Sequence, residues 1–258
     1  MADGGIRVER RGGVVRCTLD RPPLNLLGPG LIASIRTTFG ALAGDHTVRL
    51  AVVTGAGRAF TGGMDVRELR DLDAASATAL IGGLHDAIDA VHRAPFPVIA
   101  ALNGHALGAG FELALACDLR VAAAEATLGL PEVRVGVPSV IQAALLPPLI
   151  GPGRAAELLL TGASIGAEQA LAWGLVNRVV ARAGLDAAVE ETIAAITACA
   201  PEAVRLQKQL IVRWRESDLS SAVRAGIPAF AAAYATGEPR EGAAAFLEKR
   251  APRFEASR

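Results

Sequence analysis

In the stretch ALNGHALGAGFELALACDLR, at positions 101–120, Glu112 lies among glycine, alanine and other apolar residues. PFPVIAAL has the length and character of a buried strand, and FELALACDL that of a buried helix opening after the glycine-rich GHALGAG. Glu112 would then sit in the first turn of a helix that is apolar nearly all round. An acid there complements the positive end of the helix dipole and needs no further role. Alternatively, a strand, a tight loop and a helix N-terminus set free backbone N–H groups beside a desolvated acid. That is equipment for stabilising and protonating an enolate. This segment alone leaves both readings open.

Other chemistries find less support. TGAGRAFTGG carries G-x-G after a strand, but Phe60 stands where a dinucleotide fingerprint needs its third glycine, and no helix opens there. Neither G-x-x-x-x-G-K-[ST] nor G-x-S-x-G occurs, so a Walker-type nucleotide site and an α/β-hydrolase nucleophile are not indicated. His46, His85, His92 and His105 lack metal-ligand spacing, and only His105 falls in a loop of interest. Cys17, Cys117 and Cys199 are odd in number and widely spaced, which argues against a disulfide framework or a zinc site and for buried structural thiols.

The elements that must position Glu112 follow from periodicity. VRCTLDRP, RLAVVTGAG, PVIAAL and DLRVAA read as strands. Helical spacing marks GPGLIASIRTTFGALAG, ASATALIGGLHDAIDAVHRA, GRAAELLLTG, AEQALAWGL, LDAAVEETIAAITAC, PEAVRLQKQLIVRW and the tail REGAAAFLEKR. Strands and helices alternate over the first two thirds, and helices alone follow. This is the pattern of βαβ units with a helical region packed on them or serving assembly, with a soft boundary near residue 200.

Composition sets the outer bounds. The 258 residues are 52% hydrophobic and 20% charged, an ordinary globular balance. Lys plus Arg and Asp plus Glu number 26 each, so no net field favours nucleic acid or an anionic membrane. The start MADGGIRVERRGG has no apolar signal core, and no run approaches the roughly 18 apolar residues of a membrane span. A cytoplasmic protein is expected.

Three segments, GRAFTGGMDVREL at 57–69, NGHALGAGFELALACD at 103–118 and TLGLPEVRVGVPS at 127–139, resemble in their order the enoyl-CoA hydratase/isomerase family, the crotonase superfamily. The resemblance runs from about Val8 to Phe254 and includes LTGASIGAEQALAWGLVNRVV and the closing EGAAAFLEKRAPRF. It implies an α/β spiral of ββα/βαβ turns bearing the active site over residues 1–200. A helical region at 201–258 would build homotrimers, often paired into homohexamers. The implied substrate is an acyl-CoA thioester, with coenzyme A as part of the substrate and no metal or redox cofactor.

Carried over position by position, the resemblance places two oxyanion-hole amides on Met64 and Ala109. Main-chain donors tolerate changes of side chain: Ala109 stands where many relatives have glycine, and Met64, more often alanine, is an apolar plug expected also to narrow the acyl pocket. Two hydratase glutamates correspond to Glu112 and Glu132. Glu132 is expected to act as the acid/base nearest C2, and Glu112 as its partner in holding and activating water. Crowding and burial should raise at least one of their pKa values. Arg21, the backbone near Leu24 and Leu26, Asp65 and Lys249 are the expected substrate and CoA contacts, Lys249 toward a neighbouring subunit.

One stretch departs from the family. After Glu132, hydratases continue through glycines to G-G-T-Q-R-L, whereas this chain reads VRVGVPSVIQAALLPPLIG and is about one residue shorter. The pocket wall is therefore rebuilt, and Ser139 is expected to cap the helix that follows. A hydratase, or a dehydratase of 3-hydroxyacyl-CoA, is the leading expectation. A Δ3-Δ2 enoyl-CoA isomerase, which needs mainly one base, is the alternative. An RNA-binding or assembly protein that keeps the fold is a third.

Overall fold

The computed structural model describes residues 5–254. The outer ends of the two expected regions, 1–4 and 255–258, lie outside the described residues. The chain opens with an antiparallel hairpin, β1 (Gly5–Arg11) and β2 (Val14–Asp20), then α1 (Pro29–Ala43). Next come β3 (Leu50–Gly55), β4 (Ala59–Thr61), α2 (Ala74–His92), β5 (Val98–Leu102), β6 (His105–Leu107), α3 (Ala109–Ala116), β7 (Leu119–Ala123) and β8 (Thr127–Gly129). After two 3-10 turns follow α4 (Leu146–Ile150), α5 (Pro152–Thr161), β9 (Ser164–Gly166), α6 (Ala167–Ala172), β10 (Arg178–Val180) and α7 (Leu185–Thr197). The last elements are α8 (Pro201–Arg215), α9 (Leu219–Ala233) and α10 (Glu238–Leu247).

Two sheets result. The larger has the order β1-β2-β3-β5-β7-β10, parallel throughout except for the β1–β2 hairpin. The smaller has the order β4-β6-β8-β9. Each successive pair, β3 with β4, β5 with β6 and β7 with β8, gives its first strand to the large sheet and its second to the small one. This repeated step makes the spiral.

The buried strands obey the two-residue period of a sheet covered on both faces. Ala51, Val53, Val98, Ala100 and Leu102 join the main core with α1, α2 and α3, while Leu50, Val52, Ile99 and Ala101 face Leu185, Ala188, Val189 and Ile193 of α7. Every residue of α3, Glu112 included, is buried. Gly110 permits this depth, because a Cβ there would stand 2.6 Å from Thr61 Cγ2 and 2.8 Å from its carbonyl oxygen.

The C-terminal helices are tied to the spiral by polar contacts. Buried Lys208 of α8 donates to His92 O at 2.8 Å and to Asp118 Oδ1 at 2.7 Å, and the other oxygen of Asp118 accepts from Val98 N at 2.8 Å. Glu238 of α10 accepts from Glu202 N and Ala203 N at 2.8 and 3.0 Å, capping α8 from outside its own sequence. No helix of the described residues is long and apolar enough to cross a membrane. Cys17 and Cys117 are buried free thiols, as expected, but Cys199 is exposed just beyond α7, where the chain turns toward α8 on the surface.

Candidate active site

A cavity of about 670 Å³ opens between α2, the start of α3 and the turn at 131–140. Val66, Leu69, Leu80 and Ile81 form part of a mostly apolar wall, and Met64, Ala109, Glu112, Glu132 and Ser139 are among its lining residues. The residues expected to supply the two amides and the two carboxyls thus line one cavity.

The amides are assembled by backbone packing. Gly63, at φ 88°, lies so close to the 107–109 segment that a Cβ would collide with the Leu107 carbonyl oxygen and stand 3.5 Å from Ala109 N. The LDRPPLNLL loop braces the Met64 side: Gly62 N donates to Leu24 O at 2.8 Å, and Leu27 N donates to Gly63 O at 2.9 Å. Gly63 N is taken by Thr61 Oγ1 at 3.0 Å. The next amide, that of Met64, has no acceptor among the described residues. Opposite it, Gly108 adopts φ 54° and donates to Gly129 O at 2.8 Å, so Ala109 begins α3 with its own N–H unpaired among the described residues, as a first helical turn leaves it. Two N–H donors at such a mouth can receive a developing oxyanion.

Glu112 is 3% exposed. Its Oε1 accepts from Ala143 N at 2.9 Å. Burial pushes its pKa up to about 8, against the pull of the Ala143 amide and with the help of the Glu132 charge. The shift favours its protonated form. Glu132 lies in the 3-10 turn Pro131–Val135 and is only half-buried. A Cβ on Gly108 would stand 2.8 Å from Glu132 Oε1, which places that oxygen over the Gly108–Ala109 turn. The arrangement is a buried carboxyl group and a half-buried one at a cavity lined also by Met64 and Ala109.

Ser139 departs from expectation. It does not cap the following 3-10 helix Ile141–Leu145, whose N-cap is Val140 with no side-chain bond. Its hydroxyl instead donates to Glu132 Oε2 at 2.7 Å. The reason is the turn at Gly136, φ 84°, which folds 137–139 back onto the carboxyl that precedes it.

The remaining expected residues lie outside the cavity lining. Arg21 donates to Leu26 O at 2.8 Å and stands 3.7 Å from Asp65. The carbonyl oxygens of Leu24 and Leu26 are thus both bonded within the protein. Asp65 is buried and bound through both oxygens by Arg67, whose guanidinium holds its carboxyl well below the usual range. Lys249 is exposed just past α10. His105 pairs with Thr127 Oγ1 at 2.6 Å, away from the cavity. Sequence reasoning passed over Arg67, Asn25 and the Ala143 amide. Asn25, in the left-handed region at φ 52°, ties its loop to Ala56 O and Ala59 O, both at 2.9 Å; an asparagine flanked by leucines in a proline-rich turn was the signal for it. No group of three or more His, Cys, Asp or Glu among the described residues is placed to hold a metal ion.

The chain matches the enoyl-CoA hydratase/isomerase family over residues 9–257. It is similar to a crotonyl-CoA hydratase of Syntrophomonas wolfei, 36% identical over 260 residues covering 98% of this chain and 99% of the relative. It is likewise similar to a carnitinyl-CoA dehydratase of Escherichia coli, 34% identical over 253 residues covering 96% and 97%. Among solved structures, an enoyl-CoA hydratase from Mycobacterium smegmatis matches with a TM-score of 0.93 at 35% identity, over 96% of this chain and 98% of that one. With its two-sheet spiral in the crotonase fold, the chain belongs to the enoyl-CoA hydratase/isomerase family.

Proposed function

We propose that this enzyme is an enoyl-CoA hydratase, adding water across an α,β-unsaturated acyl-CoA thioester or running the reverse dehydration. The observation that carries the reading is the convergence of Glu112, Glu132 and the amides of Met64 and Ala109 on one apolar cavity. The thioester oxygen accepts from the two amides, each worth roughly 2.7–4 kcal/mol to an enolate. A water lies between the carboxyls, held by the neutral Glu112. As its oxygen bonds to C3, the C2–C3 π electrons move into the enolate and Glu132 takes the water's proton. Glu132 returns that proton to C2 as the enolate collapses, so one water supplies the hydroxyl at C3 and the hydrogen at C2, and both carboxyls end as they began. No oxidant or reductant enters, and coenzyme A is part of the substrate.

One observation favours the isomerase as a second reading: Glu132 Oε1 stands over the Gly108–Ala109 turn, and moving a double bond needs mainly one such base. The two separate in one experiment. Purified protein is given a panel of 2-enoyl-, 3-enoyl- and 3-hydroxyacyl-CoA thioesters, with product identification and with deuterium exchange at the α-carbon. Under the hydratase reading, Glu112→Gln lowers hydration by roughly 10-fold or more, because the water loses the carboxyl that holds it, and lowers α-exchange less. Glu132→Gln loses both. Hydration at the wild-type rate in Glu112→Gln would overturn the two-glutamate mechanism, and interconversion of 3-enoyl- and 2-enoyl-CoA without hydration by the wild type would replace the hydratase with the isomerase.

A further inference from the structure

The segment 136–143 is where this chain leaves its family's glycine-rich pattern, and it touches both carboxyl groups: Ser139 at Glu132, Ala143 at Glu112. Between them, Ile141 adopts φ 33°. A β-branched residue in that region is strained and persists only where its surroundings over-determine it; Ile141 is packed against the main core. The segment is therefore held in shape while gripping two titratable groups.

Glu132 needs such a grip. It makes no ion pair among the described residues, and its neighbour Arg134 donates to Thr161 O at 3.1 Å. The Ser139 hydroxyl is the one side-chain donor to its carboxyl among the described residues, and with Oε2 bound, Oε1 is the oxygen left over the Gly108–Ala109 turn. A hydroxyl has a property that a backbone amide lacks: it both donates and accepts. It can donate to Glu132 as carboxylate and accept from Glu132 as carboxylic acid, and so hold the group through both halves of a proton-transfer cycle.

We infer that Ser139 is a positioning residue that fixes Glu132 in both protonation states with Oε1 toward C2 of the acyl thioester. The inference rests on the reading of Glu132 as the acid/base at C2. Its test is the series Ser139→Ala, Ser139→Cys and Ser139→Thr, compared with wild type for hydration kcat and KM and for α-carbon deuterium exchange. Ser139→Ala is expected to lower kcat and exchange together by roughly 10- to 100-fold, the scale of a lost hydrogen bond to a charged group, with KM nearly unchanged. Ser139→Cys, of similar size but a weak donor, should follow it and guards against a packing defect in the alanine variant. Ser139→Thr keeps the hydroxyl and should recover most of both rates. Wild-type rates in Ser139→Ala, equal loss in Ala and Thr, or an effect on KM alone would overturn the inference. A wild-type protein that exchanges α-protons without hydrating any thioester removes the hydratase reading and leaves Ser139 testable by exchange; one inert in both assays removes both.

Discussion

Glu112 sets stability against chemistry at a single residue. In an unfolded chain its carboxyl titrates at the ordinary value of 4.5; in the fold, burial moves it to about 8. Between these values the unfolded chain gives up a proton that the folded one keeps, so the group's contribution to stability is full below about 4.5 and is lost as pH rises through about 8. Glutamine keeps the oxygen that accepts from Ala143 and does not ionise. Glu112→Gln should therefore leave the denaturation midpoint nearly unchanged at about pH 4 and raise it progressively toward about pH 8, as stability gains about 5 kcal/mol at most. Hydration by the wild type should fall above about pH 8 as the proton is lost, and this limb should vanish in whatever activity Glu112→Gln retains. A midpoint unchanged at about pH 4 and lowered at neutral pH would mean that Glu112 is ionised there and acts as a dipole-complementing acid alone.

At the scale of elements, α3 delivers both a donor and an acid because it begins where β6 ends, with one glycine between. Ala109 occupies the first helical position, where proline fits the backbone and removes an N–H that the helix itself does not use. Ala109→Pro should fold and lose turnover by about 10²–10³-fold, whereas Ala109→Gly keeps the donor and should be mild. Equal activity in the two folded variants would place the oxyanion hole elsewhere. How much of this was legible depended on locality. Glu112 was visible because a lone acid in an apolar run breaks the pattern, and β3, β5 and β7 of the large sheet because four or five buried residues in a row are distinctive. The small sheet was not: its strands span three residues each, too few for any period to register. The exposed strand β1 carries no buried face to mark it. The Ser139–Glu132 bond depends on a left-handed turn and on Ile141 in a conformation that propensity argues against. Helix α9 escaped notice because Gly226 and Pro228 interrupt it and its apolar residues do not face the core.

The same helix matters most for the whole molecule. Only Ala222 and Ala225 of α9 are buried, while Leu219, Val223, Ile227, Phe230 and Tyr234 form an exposed row at helical spacing, Phe230 69% exposed. On α10, Phe246 is 83% exposed and Leu247 lies beside it. A monomer rarely leaves so much contiguous apolar surface in water, and symmetric association of identical chains is the ordinary way to cover it. The expectation of a trimer or hexamer built by the C-terminal helices thus acquires particular residues. Sedimentation at micromolar concentration should give one of these states, and Ile227→Asp with Phe230→Asp should shift it toward monomer while leaving the far-ultraviolet circular dichroism of the spiral in place. Lys249 lies two residues past α10, exposed, and the family resemblance implies that an assembled chain offers it to a neighbour's CoA. Lys249→Ala should then raise KM without altering the oligomer, and the interface variant should raise KM by the same route, since separated chains no longer share that cation. A wild-type protein that sediments as a monomer sinks the assembly, and an unchanged KM in Lys249→Ala sinks the shared contact.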